Sequence, residues 1–212
     1  MRRAIAAVAG AASWSVAEYG LHRFLMHEMK GKGLASKEHL RHHADVTYFS
    51  PTSKKLLSAA STTAVVLPAA WALTGRRIAT SYTAGLITMY FGYEVVHRRA
   101  HTHPPRGAYS RWVRRSHLHH HFGGPMRNFG VTSPVWDRVL GTYDDPGVVV
   151  VPRRMAPAWL LGEDGEVRAA YAADYVARGR PRSNDAQRDA DEHDAFANVA
   201  PTAETIDELQ PA

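Results

Sequence analysis

Three stretches of the chain are apolar enough to be read as helices that bury themselves in one another or in lipid. Ala4–Tyr19 is rich in alanine and carries one acid, Glu18. Leu56–Thr74 runs without a charge, and Ile78–Val96 carries only Glu94, near its end. A helix of about 20 apolar residues spans a bilayer core, so the second and third stretches predict transmembrane helices. The link Gly75-Arg76-Arg77 is tight, which makes them a helical hairpin. The first stretch predicts a short or partly inserted helix. Arg2-Arg3 ahead of it could open a signal peptide, but cleavage would then fall beside the first histidine pair. The alternative is three buried helices of a soluble protein; the negative mean hydropathy favours it, although polar loops and the C-terminal region account for much of that value.

Beyond the hairpin, a helix is predicted near Arg111–His121, followed by a loop to Tyr143. After Gly162 the chain turns acidic and polar. A helix over Val167–Ala177 fits the pattern there, and from Arg180 to Ala212 too little is apolar to form a core. The division expected is a membrane-bound domain over 1–162 and an acidic, largely disordered tail over 163–212. Charge follows the same boundary. Residues 1–162 hold 21 Lys and Arg against 8 Asp and Glu, whereas 163–212 hold 5 against 12. The basic residues flank apolar segments, which suits the anionic face of a membrane better than nucleic acid.

The two ends of a hairpin lie on one side of the membrane. That side would hold Lys30, Lys32, Lys37, Arg41, Lys54, Lys55, Arg98, Arg99, Arg106, Arg111, Arg114 and Arg115, opposed by Arg2, Arg3, Arg76 and Arg77. The positive-inside rule makes it cytoplasmic.

Eleven of the 13 histidines fall in four short motifs on that same side: His22-Arg-Phe-Leu-Met-His27, His39-Leu-Arg-His42-His43, His97-Arg-Arg-Ala-His101 and His117-Leu-His119-His120-His121. Helical residues three and four apart share a face. By that rule His97 and His101 form a pair. His39, His42 and His43 form a triplet aimed at one region, and so do His117, His120 and His121. His22 and His27 are five apart, about 140° around an ideal helix, so they fit one site only if the helix loosens between them; otherwise they reach different metals. His119 points off its triplet's face, His103 precedes Pro104, and His193 lies in the acidic tail; these three read as structural or solvated.

The chain has no cysteine, which excludes disulfides, zinc–thiolate sites and iron–sulfur clusters. Any metal must sit on imidazole and oxygen, as iron, zinc, manganese and copper do. Ten histidines exceed what one four-coordinate structural zinc needs and suffice for two metals with five nitrogens each. Two adjacent redox metals beside a membrane point to O2 activation and attack on an unactivated C–H bond.

With these motifs in hand, the chain resembles the fatty acid hydroxylase and sterol desaturase superfamily of membrane di-iron enzymes. The resemblance runs from about Glu18 to Tyr143. It rests on the four histidine motifs in order and on the segment from Asn128 to Thr142. The first motif and the run Tyr93-Glu94-x-x-His97 are nearest the fatty acid 2-hydroxylase branch. That branch usually has Tyr-Asp where this chain has Tyr-Glu, and a further histidine where this chain has Thr102. The fold implied is all-α: an integral membrane helical bundle, here with two to three transmembrane helices, under a cytosolic helical cap carrying a multi-histidine dimetal site. A chain this short leaves apolar surface that a homodimer would cover.

The resemblance implies two Fe ions on His22, His27, His39, His42, His43, His97, His101, His117, His120 and His121, with zinc able to replace iron in purified protein. O2 is the implied co-substrate. Electrons come from a separate NAD(P)H-linked carrier, cytochrome b5-like or ferredoxin-like. Glu94 and Tyr93 are the candidate catalytic residues beside the metals: Glu94 because a charge at the end of an apolar helix is a functional candidate, and Tyr93 as a group to orient a lipid headgroup or a ligand. Glu18, Glu38, Glu94 and Asp137 are candidates to orient the rings. Lys54, Lys55, Arg98 and Arg99 are candidates to meet lipid headgroups or an acidic carrier. The leading activity is hydroxylation of a lipid acyl chain. A carotenoid ring hydroxylase or sterol oxidase is the alternative on the same site, and a non-catalytic membrane metal-binding protein is the alternative of another class.

Overall fold

The computed structural model describes residues 1–180 and is mostly helical. Helix α1 spans Arg2–Gly20 and continues without a break into a wider π-helical segment, Leu21–Glu28. Then come α2 (Leu34–Ala44), α3 (Thr52–Thr74), α4 (Arg76–Thr102), α5 (Ala108–Phe122) and the short α6 (Val135–Val139).

Helices α3 and α4 form the expected hairpin. Its turn is Gly75 alone, at φ 79°, where a residue without a Cβ is favoured. Among the described residues, α3 is the one helix long and apolar enough to cross a membrane. It buries only Ala59 and leaves Leu56, Val65 and Leu73 exposed. Helix α4 is more polar than the sequence reading allowed and packs along α1. Their backbones nearly touch: a Cβ added at Gly10 would sit 1.9 Å from the Tyr82 carbonyl oxygen, and one at Gly85 would sit 2.0 Å from that of Ala7. Small residues permit this approach, which explains the alanine-rich composition of α1. Hydroxyls within the long helices bond to carbonyls one turn back, as Thr63 does to Ala59 at 2.8 Å and Thr74 to Ala70 at 2.8 Å. Trp14, Leu86, Tyr93, Ala100, Val113 and Val131 make one core, shared by α1, α4, α5 and the loop before α6.

The C-terminal part differs from expectation. Strand β1 (Val149–Pro152) pairs in parallel with β2 (Tyr175–Arg178). The helix expected over Val167–Ala177 is instead a bridge from Val167 to Leu161, a single helical turn at Ala169–Tyr171, and β2. Leu118, Val149, Val151, Trp159, Leu160 and Tyr175 form a second core on the outer face of α5. Ordered structure therefore runs past residue 162 to 180, and the chain is not purely α. The rest of the expected tail, with His193, lies outside the described residues.

Several cations used in the topology argument are occupied internally. Arg114 is buried and donates to the carbonyls of Arg99 (2.8 Å), His103 (2.7 Å) and Ser110 (2.8 Å), closing the end of α4. Arg111 and Arg115 pair with Asp174 beside β2. Lys54 pairs with Glu38, and Lys55 with Glu94.

Candidate metal centre

The ten predicted histidines gather into two groups of five. His22, His27, His39, His43 and His120 form one; His42, His97, His101, His117 and His121 form the other. Within each group the ligand atoms lie within 4.8 Å of one another. The groups abut, with the His43 and His121 rings stacked at 4.1 Å. His103 and His119 belong to neither; His119 faces Asp144.

The partition corrects the sequence reading. Neither triplet aims at one region. His39 and His43, four apart on α2, enter the first group, while His42 between them enters the second. On α5, His117 and His121 enter the second group and His120 the first. Each group thus combines a pair from one helix, a pair from another and a single ring from a third. The first takes pairs from the π-helical segment and α2, with its single from α5. The second takes pairs from α4 and α5, with its single from α2. His22 and His27 reach one group because the π-helical turn, closed by i→i+5 bonds, stacks residues five apart. Their ring centroids are 5.2 Å apart. Of the two routes open from sequence, the loosened helix is the one taken.

The nitrogens converge. In the first group, Nε2–Nε2 separations are 3.0 Å for His22–His39, 2.9 Å for His39–His27, 3.0 Å for His27–His120 and 3.1 Å for His43–His120. In the second they are 3.1 Å for His42–His101, 2.8 Å for His101–His117 and 3.1 Å for His121–His117. The Nε2 of His97 is buried without a partner. Ligands at right angles around a metal, each bonded at about 2.1 Å, lie about 3.0 Å apart. Five imidazole nitrogens in each group exceed the four that a tetrahedral site uses.

Three rings have their tautomer fixed by backbone. The Nδ1–H of His22 donates to the Phe129 carbonyl, that of His42 to Tyr48 at 2.7 Å, and that of His120 to Arg127 at 2.6 Å. A carbonyl only accepts, so the proton is on Nδ1 and the Nε2 lone pair points inward, as ligation requires. Burial, with repulsion among neighbouring rings, lowers the pKa of His39, His43, His117, His120 and His121 well below the ordinary value. His42 is lowered to about 4, chiefly by burial. All are neutral near pH 7, the form that binds metal.

The four candidate carboxylates find partners outside the two histidine groups. Asp137 accepts the backbone N–H groups of Phe129 (2.9 Å) and Gly130 (2.7 Å) and the Thr142 hydroxyl (2.8 Å). Glu18 accepts the N–H of Thr132 at 2.8 Å and its hydroxyl. Glu38 accepts from Tyr48 (2.7 Å), Ser50 (2.8 Å) and Lys54 (2.6 Å). Burial alone would raise the Glu38 pKa, but these donors outweigh it and hold the carboxyl below its usual value. Each of these three acids secures a segment whose carbonyl, or a near neighbour's, holds a ring. Glu94 pairs with Lys55 instead. Tyr93 is buried and lies parallel to the His97 ring at 5.7 Å. Phe129, fully buried, packs edgewise on His22 at 5.6 Å, on His27 at 5.7 Å and on His120 at 5.8 Å. Asn128, at φ 52°, exchanges two bonds with Asp144 (2.9 and 2.7 Å) and turns the loop.

A cavity of about 450 Å³ opens onto the site. His22, His39, His42 and His97 line it, so both groups are exposed to it, together with the apolar Trp14, Leu57, Leu86 and Ile87 from α1, α3 and α4.

Comparison with known proteins bears on this arrangement. The profile of the fatty acid hydroxylase family matches residues 7–142, which include all ten histidines but not the strand module. The dihydroceramide fatty acyl 2-hydroxylase FAH2 of Arabidopsis thaliana is 29% identical over 150 residues, covering 68% of this chain and 62% of the relative. The ceramide very long chain fatty acid hydroxylase SCS7 of Saccharomyces cerevisiae is 33% identical over 148 residues, covering 63% of this chain and 36% of the relative. The chain thus spans less than two thirds of each. A solved structure of full-length scs7p, with only the hydroxylase domain visible, superposes with a TM-score of 0.53 at 29% identity, covering 67% of this chain and 57% of that one.

Proposed function

The chain belongs to the fatty acid hydroxylase family, and on that premise we propose that it is a membrane monooxygenase that inserts oxygen from O2 into a C–H bond of a lipid acyl chain. The observation that carries this reading is the cavity, which joins imidazoles of both groups to an apolar space between α1, α3 and α4. A space of this size and lining suits a hydrocarbon chain. The relatives are named as acyl hydroxylases, two of them as 2-hydroxylases of dihydroceramide, which favours an amide-linked acyl chain hydroxylated next to its carbonyl.

Two iron ions, five histidines each, would supply the two-electron reduction of O2 that the reaction needs. One oxygen atom enters the C–H bond and the other leaves as water, consuming two electrons and two protons. The electrons come from a separate NAD(P)H-linked carrier, cytochrome b5-like or ferredoxin-like. The protein's own part is to hold neutral, correctly tautomeric rings, to present one carbon of the chain to them, and to keep the apolar tail out of water. Tyr93 and Glu94 stand on the substrate side of this arrangement. The α3–α4 hairpin, with α1 against it, sits in the membrane, and the histidines face the cytoplasm under residues of α2 and α5. A homodimer would cover the exposed flank of α3.

The test is mass spectrometry of lipids from cells expressing the chain or its His120→Ala variant, with an electron-transfer system supplied. An acyl species one oxygen heavier, absent with the variant, is expected. The same gain on a carotenoid or sterol would move the protein to another branch. No oxygenated product with iron bound and electrons supplied would refute the enzyme reading.

A further inference from the structure

Five charged side chains line the cavity: Glu18, Glu38, Lys54, Lys55 and Glu94. Three are committed to the scaffold. Glu18 holds Thr132, and Glu38 and Lys54 hold each other and the segment after α2. Lys55 and Glu94 differ. They pair across the α3–α4 hairpin with side chains 17% and 19% exposed, and Glu94 also accepts from the Tyr90 hydroxyl. An ammonium has three protons and a carboxylate about four lone-pair sites, so the pair keeps unspent donor and acceptor capacity. Both side chains line the cavity, as do His42 and His97, and Glu94 is one helical turn before His97.

We propose that the Lys55–Glu94 pair reads the linkage at the head of the acyl chain, the ammonium donating to the acyl carbonyl and the carboxylate accepting the adjoining amide N–H. The chemistry selects that group. A secondary amide offers one acceptor and one donor side by side, matching the pair. A free carboxylate offers acceptors only and brings a second negative charge beside Glu94. An ester has no proton to give. Anchoring the carbonyl beside Glu94, one turn from His97, would also hold the next carbon near the rings and leave the rest of the chain among the apolar lining residues. Lys55 and Glu94 would then set both head-group preference and the position hydroxylated. This rests on the acyl hydroxylase reading above.

The experiment uses the full chain in membranes with its electron-transfer system, wild type beside Lys55→Met, Lys55→Arg and Glu94→Gln. N-palmitoyl ethanolamine and palmitic acid are compared as substrates, and fragmentation places the hydroxyl. In parallel, quenching of tryptophan fluorescence by a brominated acyl amide reports binding without turnover, with Trp14→Phe as the control. Loss of one charge-assisted hydrogen bond corresponds to about tenfold or more. Lys55→Met is therefore expected to raise KM and Kd for the amide at least that much and to scatter the hydroxyl along the chain, with Lys55→Arg restoring position. Glu94→Gln should narrow the preference for amide over acid. Equal use of amide and acid by the wild type, or unchanged Kd and position in Lys55→Met, overturns the proposal. If the wild type hydroxylates nothing, the activity reading fails by itself. The quenching series then still decides the linkage reading, by whether amide binding depends on Lys55.

Discussion

Asp137 and His22 do not touch, yet a single peptide links them. Asp137 accepts the backbone N–H of Phe129, and the carbonyl of Phe129 accepts the Nδ1–H of His22. The carboxylate thus orients a ring through main chain. Asp137→Asn keeps the side chain's size but loses acceptor capacity against three donors. Second-tier changes at metal sites typically cost about 10- to 100-fold in affinity. Iron or zinc affinity, measured by competition with a chelator, should fall within that range. Unchanged affinity would remove Asp137 from the chain of support.

His119 and His120 are adjacent but face differently. His120→Ala removes a ring shared with His27 and His43 and should lower bound metal, measured by elemental analysis of protein purified in parallel. His119→Ala should leave metal content unchanged. Equal loss from both would contradict the assignment of the two groups.

The α1–α4 crossing predicts a sharp contrast between two glycines on one helix. Gly85→Ala places a methyl 2.0 Å from the Ala7 carbonyl oxygen, whereas Gly92→Ala meets nothing nearer than 3.8 Å. The first should destabilise by about 1–3 kcal/mol. The second should be neutral or slightly stabilising, since alanine favours helix. Thermal unfolding in detergent distinguishes them, and similar Tm shifts for both would mean that the helices do not cross at Gly85.

Metal-free protein should lose stability as pH falls. The buried rings of α2 and α5 have folded pKa values below the ordinary 6.5, His42 at about 4, so the unfolded chain binds more protons across that window. Stability is therefore highest above about pH 6.5 and declines on acidification toward about 4. Melting curves of chelator-treated protein at several pH values check this; a Tm flat from pH 7.5 to about 5 would contradict the burial of these rings.

The histidine set, the hairpin and the α5 helix were legible because each is a repeating pattern of side-chain types. The partition was not. Helical spacing states that His39, His42 and His43 share a broad face, but which ring goes to which neighbour depends on how α2 and α5 sit across from each other. The role of Phe129, Tyr48 and Arg127 was hidden for a different reason: they act through carbonyls, which every residue carries. For the strand module a signal existed in the run Val148-Val149-Val150-Val151 and in Trp159-Leu160-Leu161, but the surrounding acidic residues masked it. Glu94 stood out by its place in an apolar helix. Lys55 was legible only as a candidate for headgroups or a carrier; its pairing with Glu94 was not, because that depends on how α3 and α4 face each other.

The exchange of single rings between α2 and α5 has a thermodynamic consequence for the proposed dinuclear centre. An ion in the first group fixes α2 and α5 through His39, His43 and His120. That same ordering places His42, His117 and His121, three of the five rings in the other group. The second ion then pays less conformational entropy than the first, which is positive cooperativity without any bridging contact. Occupancy would approach all-or-none: half-loaded molecules would stay scarce during titration, and metal loading of the chain would act as a switch rather than a dial.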